Sequence, residues 1–295
     1  NSMAYFLRVS SLILCALALC AEQQVNPESF TYVLQAEGLA KNRVGVVSKL
    51  AGCGRDWIIL DAFFENGSRW TTNELALIRK GKENRKVIAY FSIGEAEDYR
   101  PYWDKRWLMT GKPSKAAPHW LAEENLEWKG NHRVRYWEPD WQRIVFAELR
   151  HIQDSGFDGV FLDIVDGYEA FEYDTATRGW IDNRKNPATG RTFREDMASF
   201  VTNLATMARA ERPGFLVVPQ NGEQLLKDRA YLSSISAVSV ESLYKGKNKE
   251  RLEPLRLAAD AGKPVLDVEY AKPRKIASPF VILFTRKELD AIGTH

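Results

Sequence analysis

Carboxylates close one apolar run after another in this chain. "FDGVFLDIVDGYEAF" (157–171) starts as a buried strand, yet Asp163 interrupts it, and Asp166 and Glu169 follow at once. A carboxylate is costly to bury unless it is paired or put to use. Asp61 ends "WIILD", Glu95 follows "VIAYFS", and Asn221 and Glu223 follow "FLVVPQ". Glu241 ends "AVSVE", and Asp267, Glu269 and Tyr270 close "VLDVEY". Chemistry that uses several carboxylates is glycoside hydrolysis: one carboxyl group protonates the leaving oxygen, and a second attacks the sugar or activates water. Magnesium chemistry can use the same residues together with substrate phosphate. The sequence holds no phosphate-binding loop, which places that reading below hydrolysis. For Asp166 and Glu223 the competing reading is a helix cap.

Few other groups could react. The four histidines (His119, His132, His151, His295) are scattered, and no cysteine spacing suits zinc, so neither metal nor cofactor is expected. Six of the nine tryptophans crowd residues 103–141. Aromatic faces offer a large, rigid apolar surface for sugar rings. Trp103 and Trp137 are the expected platforms, packing is the competing role, and Trp141 fits the buried stripe of a helix.

The elements that must position these groups recur in order. Apolar runs at 30–35, 57–61, 86–92, 157–163, 215–220, 237–241, 264–269 and 280–284 read as strands buried on both faces, as in a parallel sheet covered by helices. Thr71-x-x-Glu74 is a capping box before "LALIRKG". Trp141, Ile144, Val145, Leu149 and Ile152 form a helical stripe that Gly156 stops, and Phe193–Ala208 and Leu252–Ala259 carry two more. Eight strands with intervening helices predict an α/β single domain, a (β/α)8 barrel. An open doubly wound sheet is the alternative, without a GxGxxG loop to support it. Residues 94–140 form a Trp-rich insert after strand three. Only nine residues, 271–279, link the last two strands, which implies a shortened last helix.

Composition sets the frame. With 45% hydrophobic and 27% charged residues the chain is globular, and a formal charge of +2 without a basic run argues against nucleic acid. Met3, Arg8, the apolar Val9–Leu19 and the polar "EQQ" read as a secretory signal over residues 1–21, preceded by two leader residues. Residues 22–295 form the folded domain. The apolar stretch is short for a transmembrane helix, and lipid attachment at Cys20 is the alternative to secretion. Cys15 and Cys20 fall in the signal, which leaves Cys53 without an internal disulfide partner. Asn66-Gly67-Ser68 is a glycosylation sequon.

"VIAYFSIGEAEDYRPYW" (87–103), "VRYWEPDWQ" (134–142), "FDGVFLDIVDGYEAF", "VVPQNGEQLL" (217–226), "AVSVESLY" (237–244), "VLDVEYA" (265–271) and "RKELDAIG" (286–293) together resemble the family 114 glycoside hydrolases. The resemblance implies a (β/α)8 barrel and endo-acting cleavage of α-1,4-linked galactosamine polymers, by acids at the ends of the fourth and sixth strands. It places these at Asp163 and Glu241; the roles expected for them here are nucleophile for Asp163 and acid/base for Glu241, in a retaining mechanism. Asp61, Glu95, Tyr99, Tyr136, Asp166, Asn221, Glu269 and Tyr270, with the two tryptophan platforms, would line the cleft. The expected partner is a cationic polysaccharide, met by a monomer. The sequence departs from the family in its short 271–279 link, and its "LDIVD" resembles a bacterial-type branch. Two rival readings remain: a carbohydrate-binding barrel without turnover, and a structural protein on a decayed barrel.

Overall fold

The computed structural model describes residues 26–245 and 249–295. The expected signal segment, Cys15 and Cys20 lie outside the described residues, as does the Asn66 side chain. Among the described residues no helix is long and apolar enough to cross a membrane.

Eight parallel strands carry the fold, each within one of the apolar runs. They are β1 (Phe30–Val33), β2 (Trp57–Asp61), β3 (Lys86–Ser92), β4 (Gly159–Asp163), β5 (Leu216–Pro219), β6 (Val238–Glu241), β7 (Val265–Glu269) and β8 (Val281–Phe284). The first five form one parallel sheet in chain order, and the last three form a second. A parallel bridge between Gln220 and Ser239 joins the two. The described residues show no ladder between β8 and β1. The terminal segment spans that gap: Thr294 pairs with Phe284, and Thr31 Oγ1 donates to the Ile292 carbonyl at 2.8 Å. His295 Nε2 lies 2.8 Å from the Phe30 carbonyl oxygen.

Period-two alternation divides the strand side chains between two cores. Phe30, Tyr32, Trp57, Ile59, Ile88, Tyr90, Phe161, Leu216, Val218, Leu266, Val268 and Leu283 share an inner cluster to which both sheets contribute. Their strand neighbours Val33, Ile58, Leu60, Val87, Val160, Val217 and Val240 pack outward with the helices. These helices are α1 (Arg43–Gly52), α2 (Thr72–Lys80), α3 (Pro139–Ser155), α4 (Phe193–Glu211), α5 (Arg229–Ser234) and α6 (Lys249–Asp260). The Thr71–Glu74 capping box is formed, and Gly156 ends α3 in the left-handed region at φ 99°. Residues 271–279 contain no helix. Pro273 and Pro279 lack the N–H a helix needs, and an extended chain of nine residues reaches about 30 Å, enough to return along a strand.

Residues 94–140 build their own small structure after β3. Glu95–Glu97, Asn131–Val134 and Leu121–Glu124 form an antiparallel sheet, in that spatial order. Aromatic edges fill it: Trp120 and Trp141 lie 4.9 Å apart, and Trp107 meets Trp120 edge-on at 5.2 Å.

On β7 the alternation puts Asp267 and Glu269 on the outer face, both buried. Burial, and then the charge of Glu269, push the Asp267 carboxyl up to about 7. Between about pH 4 and pH 7 the folded chain therefore keeps a proton that the unfolded chain has lost, and stability from this group falls as pH rises through that window. Asp267→Asn removes the dependence. Thermal melts should show the variant gaining on the wild type between pH 4 and pH 8; a Tm difference that does not change with pH would count against the assignment.

Candidate active site

Asp163 and Glu241 end β4 and β6 on their inner faces, the side chains that follow Phe161 and Ser239 by two residues. Both are half-buried. Each accepts a hydrogen bond from a tyrosine of a neighbouring strand. Tyr90 Oη donates to Asp163 Oδ2 at 2.5 Å, and Tyr270 Oη donates to Glu241 Oε1. The Ile164 amide donates to Asp163 Oδ1 at 2.8 Å. Tyr32 completes the floor and donates to Gln220 Oε1 at 3.3 Å.

These groups set one another's protonation. Burial, and then the charge of Asp163, hold Tyr90 far above the ordinary phenol range. Burial and Glu241 do the same to Tyr270, so both phenols remain donors at any ordinary pH. Burial pushes Asp163 up to about 7; the Tyr90 hydrogen bond works against that rise, and the Glu241 charge adds to it. Half-buried Asp166, in the 3-10 turn Val165–Tyr168, is raised by burial and by Asp163, Glu169 and Glu223.

The backbone leaves each functional strand through the left-handed region: Ile164 after β4 (φ 56°), Asn221 beside β5 (φ 58°) and Ser242 after β6 (φ 52°). Non-glycine residues there are strained, a β-branched isoleucine most of all. Arg251 of α6 holds this region together. Its Nη1 donates to the Glu241 carbonyl at 3.0 Å, it pairs with Glu223, and its Nη2 reaches Asn221 Oδ1 at 3.4 Å. Asn221 Oδ1 also accepts from the Glu241 amide at 3.3 Å.

Several expected cleft residues are already engaged or lie elsewhere. Both oxygens of Asp61 accept from Arg100, at 2.7 and 2.8 Å, and Arg100 Nε donates to Glu97. Asp61 therefore fastens the insert to β2 and is no free sugar ligand. Glu95 is buried inside the insert, accepting from Asn125 at 2.8 Å and Asn131 at 3.2 Å. Tyr136 is wholly buried, with its hydroxyl on the Phe193 carbonyl at 2.7 Å. Glu269 lies on the outer face, where Oε1 accepts from the Tyr244 amide at 2.7 Å; successive strand residues point oppositely, so Tyr270 faces the mouth and Glu269 cannot. Trp103 stacks on His132 at 4.9 Å, and Trp137 packs on Phe171 at 4.9 Å, which makes both packing residues. The exposed rings are Tyr99 (60%), Trp128 (63%) and Trp180 (66%).

Sequence reasoning missed Tyr90, Tyr32, Arg100 and Arg251. Counting by twos along β3 finds Tyr90, since Ser92 lies opposite Asp163 in register and Tyr90 opposite Phe161. Arg100 and Arg251 lie on other elements, and no local pattern marks them.

Two acids at parallel-strand ends, held by phenols and, among the described residues, spared a cationic partner, are the equipment of a glycoside hydrolase. The chain belongs to glycoside hydrolase family GH114, whose model matches residues 63–293. It is 35% identical over 223 residues to a protein of Deinococcus radiodurans, covering 72% of this chain and 64% of that one. It is 38% identical over 218 residues to a protein of Methanocaldococcus jannaschii, covering 70% and 57%. The chain thus spans about three fifths of the length of these relatives. Its fold is similar to Aspergillus fumigatus Ega3 in complex with galactosamine, with TM-score 0.64 and 19% identity, covering 93% of this chain and 98% of that one. The glycoside hydrolase domain of PelA from Pseudomonas aeruginosa gives 0.60 and 17%, covering 91% and 98%.

Arg251→Ala strands the buried Glu223 carboxylate and should cost about 1–3 kcal/mol in denaturant unfolding. Adding Glu223→Gln should recover part of that loss, because the two residues act as a pair. Additive losses would show that the pair is not coupled.

Proposed function

We propose that this chain hydrolyses α-1,4-linked galactosamine-type polysaccharide, from within, at a mouth formed by eight strands closed as a (β/α)8 barrel. The observation that carries the reading is the pair Asp163 and Glu241, each at the inner end of its strand and each held by a phenol. Family membership supports the reaction type, and the galactosamine bound to Ega3 supports the sugar. Asp163 attacks the anomeric carbon while Glu241 protonates the leaving oxygen. Glu241 then takes a proton from the water that releases the sugar from Asp163, with retention of configuration. Uncompensated acids at the mouth (Asp163, Asp166, Glu169) attract a polymer carrying ammonium groups. Tyr99, Trp128 and Trp180 are the rings free to stack on sugar. The secreted setting expected from residues 1–21 belongs to the same proposal.

Reducing-end release from galactosamine polymers (free and acetylated), chitosan and a neutral glucan tests it. The galactosamine polymer should be cut, and Asp163→Asn and Glu241→Gln should each lower the rate by about 10³-fold or more while the fold persists. Binding without release by the folded wild type would instead favour a carbohydrate-binding barrel.

The pH profile tests the roles. A nucleophile must be ionised and the acid protonated, so kcat/KM should be bell-shaped, with the rising limb, near about 7, marking the loss of the Asp163 proton. A fall through the same pH would make Asp163 the proton donor, and an inverted product anomer would remove the covalent step.

A further inference from the structure

Beyond the strand ends of β7 and β8 lies an open groove of about 620 Å³. Tyr270 stands at its inner end, and Lys272, Pro273, Arg286, Lys287 and Glu288 line it. Tyr270 is also the donor to Glu241, so a single side chain links the groove to that carboxylate. Its charge is opposite to that of the mouth. Arg286 pairs with Asp290 at 2.7 Å, whereas Lys272 and Lys287 have no ion-pair partner among the described residues. Arg274 and Lys275 extend the cationic edge along the same link, with Arg274 anchored on the Tyr244 carbonyl at 3.0 Å. At the mouth stand Asp163, Asp166 and Glu169, each raised in proton affinity by burial, with Asp166 raised further by the charges of Asp163 and Glu169.

A uniformly cationic polymer suits only the acidic half of such a surface. A free-amine sugar in the groove would meet two unpaired ammonium groups against the one carboxylate of Glu288, while an anionic sugar would meet a net counter-charge. Resting on the hydrolase reading above, the geometry points to the groove as a subsite for a sugar unit bearing an anionic substituent, adjacent to the bond cleaved. The polymer read by this chain then carries amino and acidic groups on different units. A uronic acid carboxylate and a phosphate ester supply the same chemistry.

Calorimetric titration of the whole chain separates these sources. The probes are α-1,4-digalacturonate, galactose 6-phosphate, neutral α-1,4-galactobiose and inorganic phosphate, tested on the wild type and on Lys272→Ala/Lys287→Ala. At least one sugar acid should bind about tenfold tighter than galactobiose, and the double variant should lose about that factor. High salt should weaken the binding. Whichever acid binds identifies the substituent. Equal affinity for galactobiose, an unaffected double variant, or no sugar-acid binding at millimolar concentration overturns the proposal. Inorganic phosphate binding as tightly as the sugar acids also overturns it, since the site would then hold an anion without reading a sugar. Both lysines are exposed, and matching thermal melts check that the variant is folded. Hydrolysis is read separately: lysine-dependent binding without reducing-end release sinks the hydrolase reading alone, and release without charge preference sinks the groove alone.

Discussion

Two carboxylates in this fold are held at the strand ends by phenols and, among the described residues, by no cation, and the placing of the neighbouring charges follows from that. An arginine beside Asp163 would keep it ionised at any pH and occupy the oxygen that must react. Tyr90 donates a hydrogen bond without supplying a positive charge, and its own proton is safe because burial and Asp163 hold it. The cations are placed one ring further out. Arg100 pairs with both Asp61 and Glu97, and Arg251 pairs with Glu223. These paired acids thus anchor structure, while Asp163 and Glu241 keep their field.

Keeping that pair in place costs backbone strain. Ile164, Asn221 and Ser242 adopt left-handed conformations next to the three strands that matter, at about 1–3 kcal/mol each. Neighbouring groups hold each turn. A Cβ on Gly94 would lie 2.1 Å from the Ile164 carbonyl oxygen, so only glycine permits the β3 end to pack beneath that turn. Asn221 receives the Glu241 amide, and Arg251 binds the Glu241 carbonyl, so the peptide groups on both sides of that residue are fixed. A site on the rigid end of a strand, clamped in this way, is pre-organised.

The strands and the acids at their ends were legible in the sequence because burial on both faces writes itself as continuous apolar runs. The capping box at Thr71 and the stop at Gly156 were legible for the same local reason. Facing was harder. Glu269 and Tyr270 are adjacent, and alternation permits only one of them to reach the mouth. Trp103 and Trp137 look like sugar platforms by composition, but Trp103 stacks on His132 inside the insert, and Trp137, with Tyr136, packs on Phe171 outside it. Asp61 and Glu95 look like cleft ligands until Arg100, Asn125 and Asn131 are placed in space. The partners that decide those roles lie 30 to 39 residues away along the chain.

The short link between β7 and β8 accounts for one more departure from pattern. On most strands the outer face carries aliphatic residues, because a helix lays aliphatic side chains against it. Residues 271–279 form no helix, and the segment after Glu241 covers part of the outer face of β7 instead. A turn presents amide groups where a helix presents side chains. Acceptors are therefore needed on the strand: Glu269 takes the Tyr244 amide at 2.7 Å, and Asp267 takes the Leu243 amide at 3.5 Å. The link in turn grips the same segment, through Ser278 on the Tyr244 hydroxyl at 2.6 Å and Arg274 on the Tyr244 carbonyl. The chain leaving Glu241 is thus braced from the strand beneath and from the link outside, and a missing helix is compatible with a fixed carboxylate.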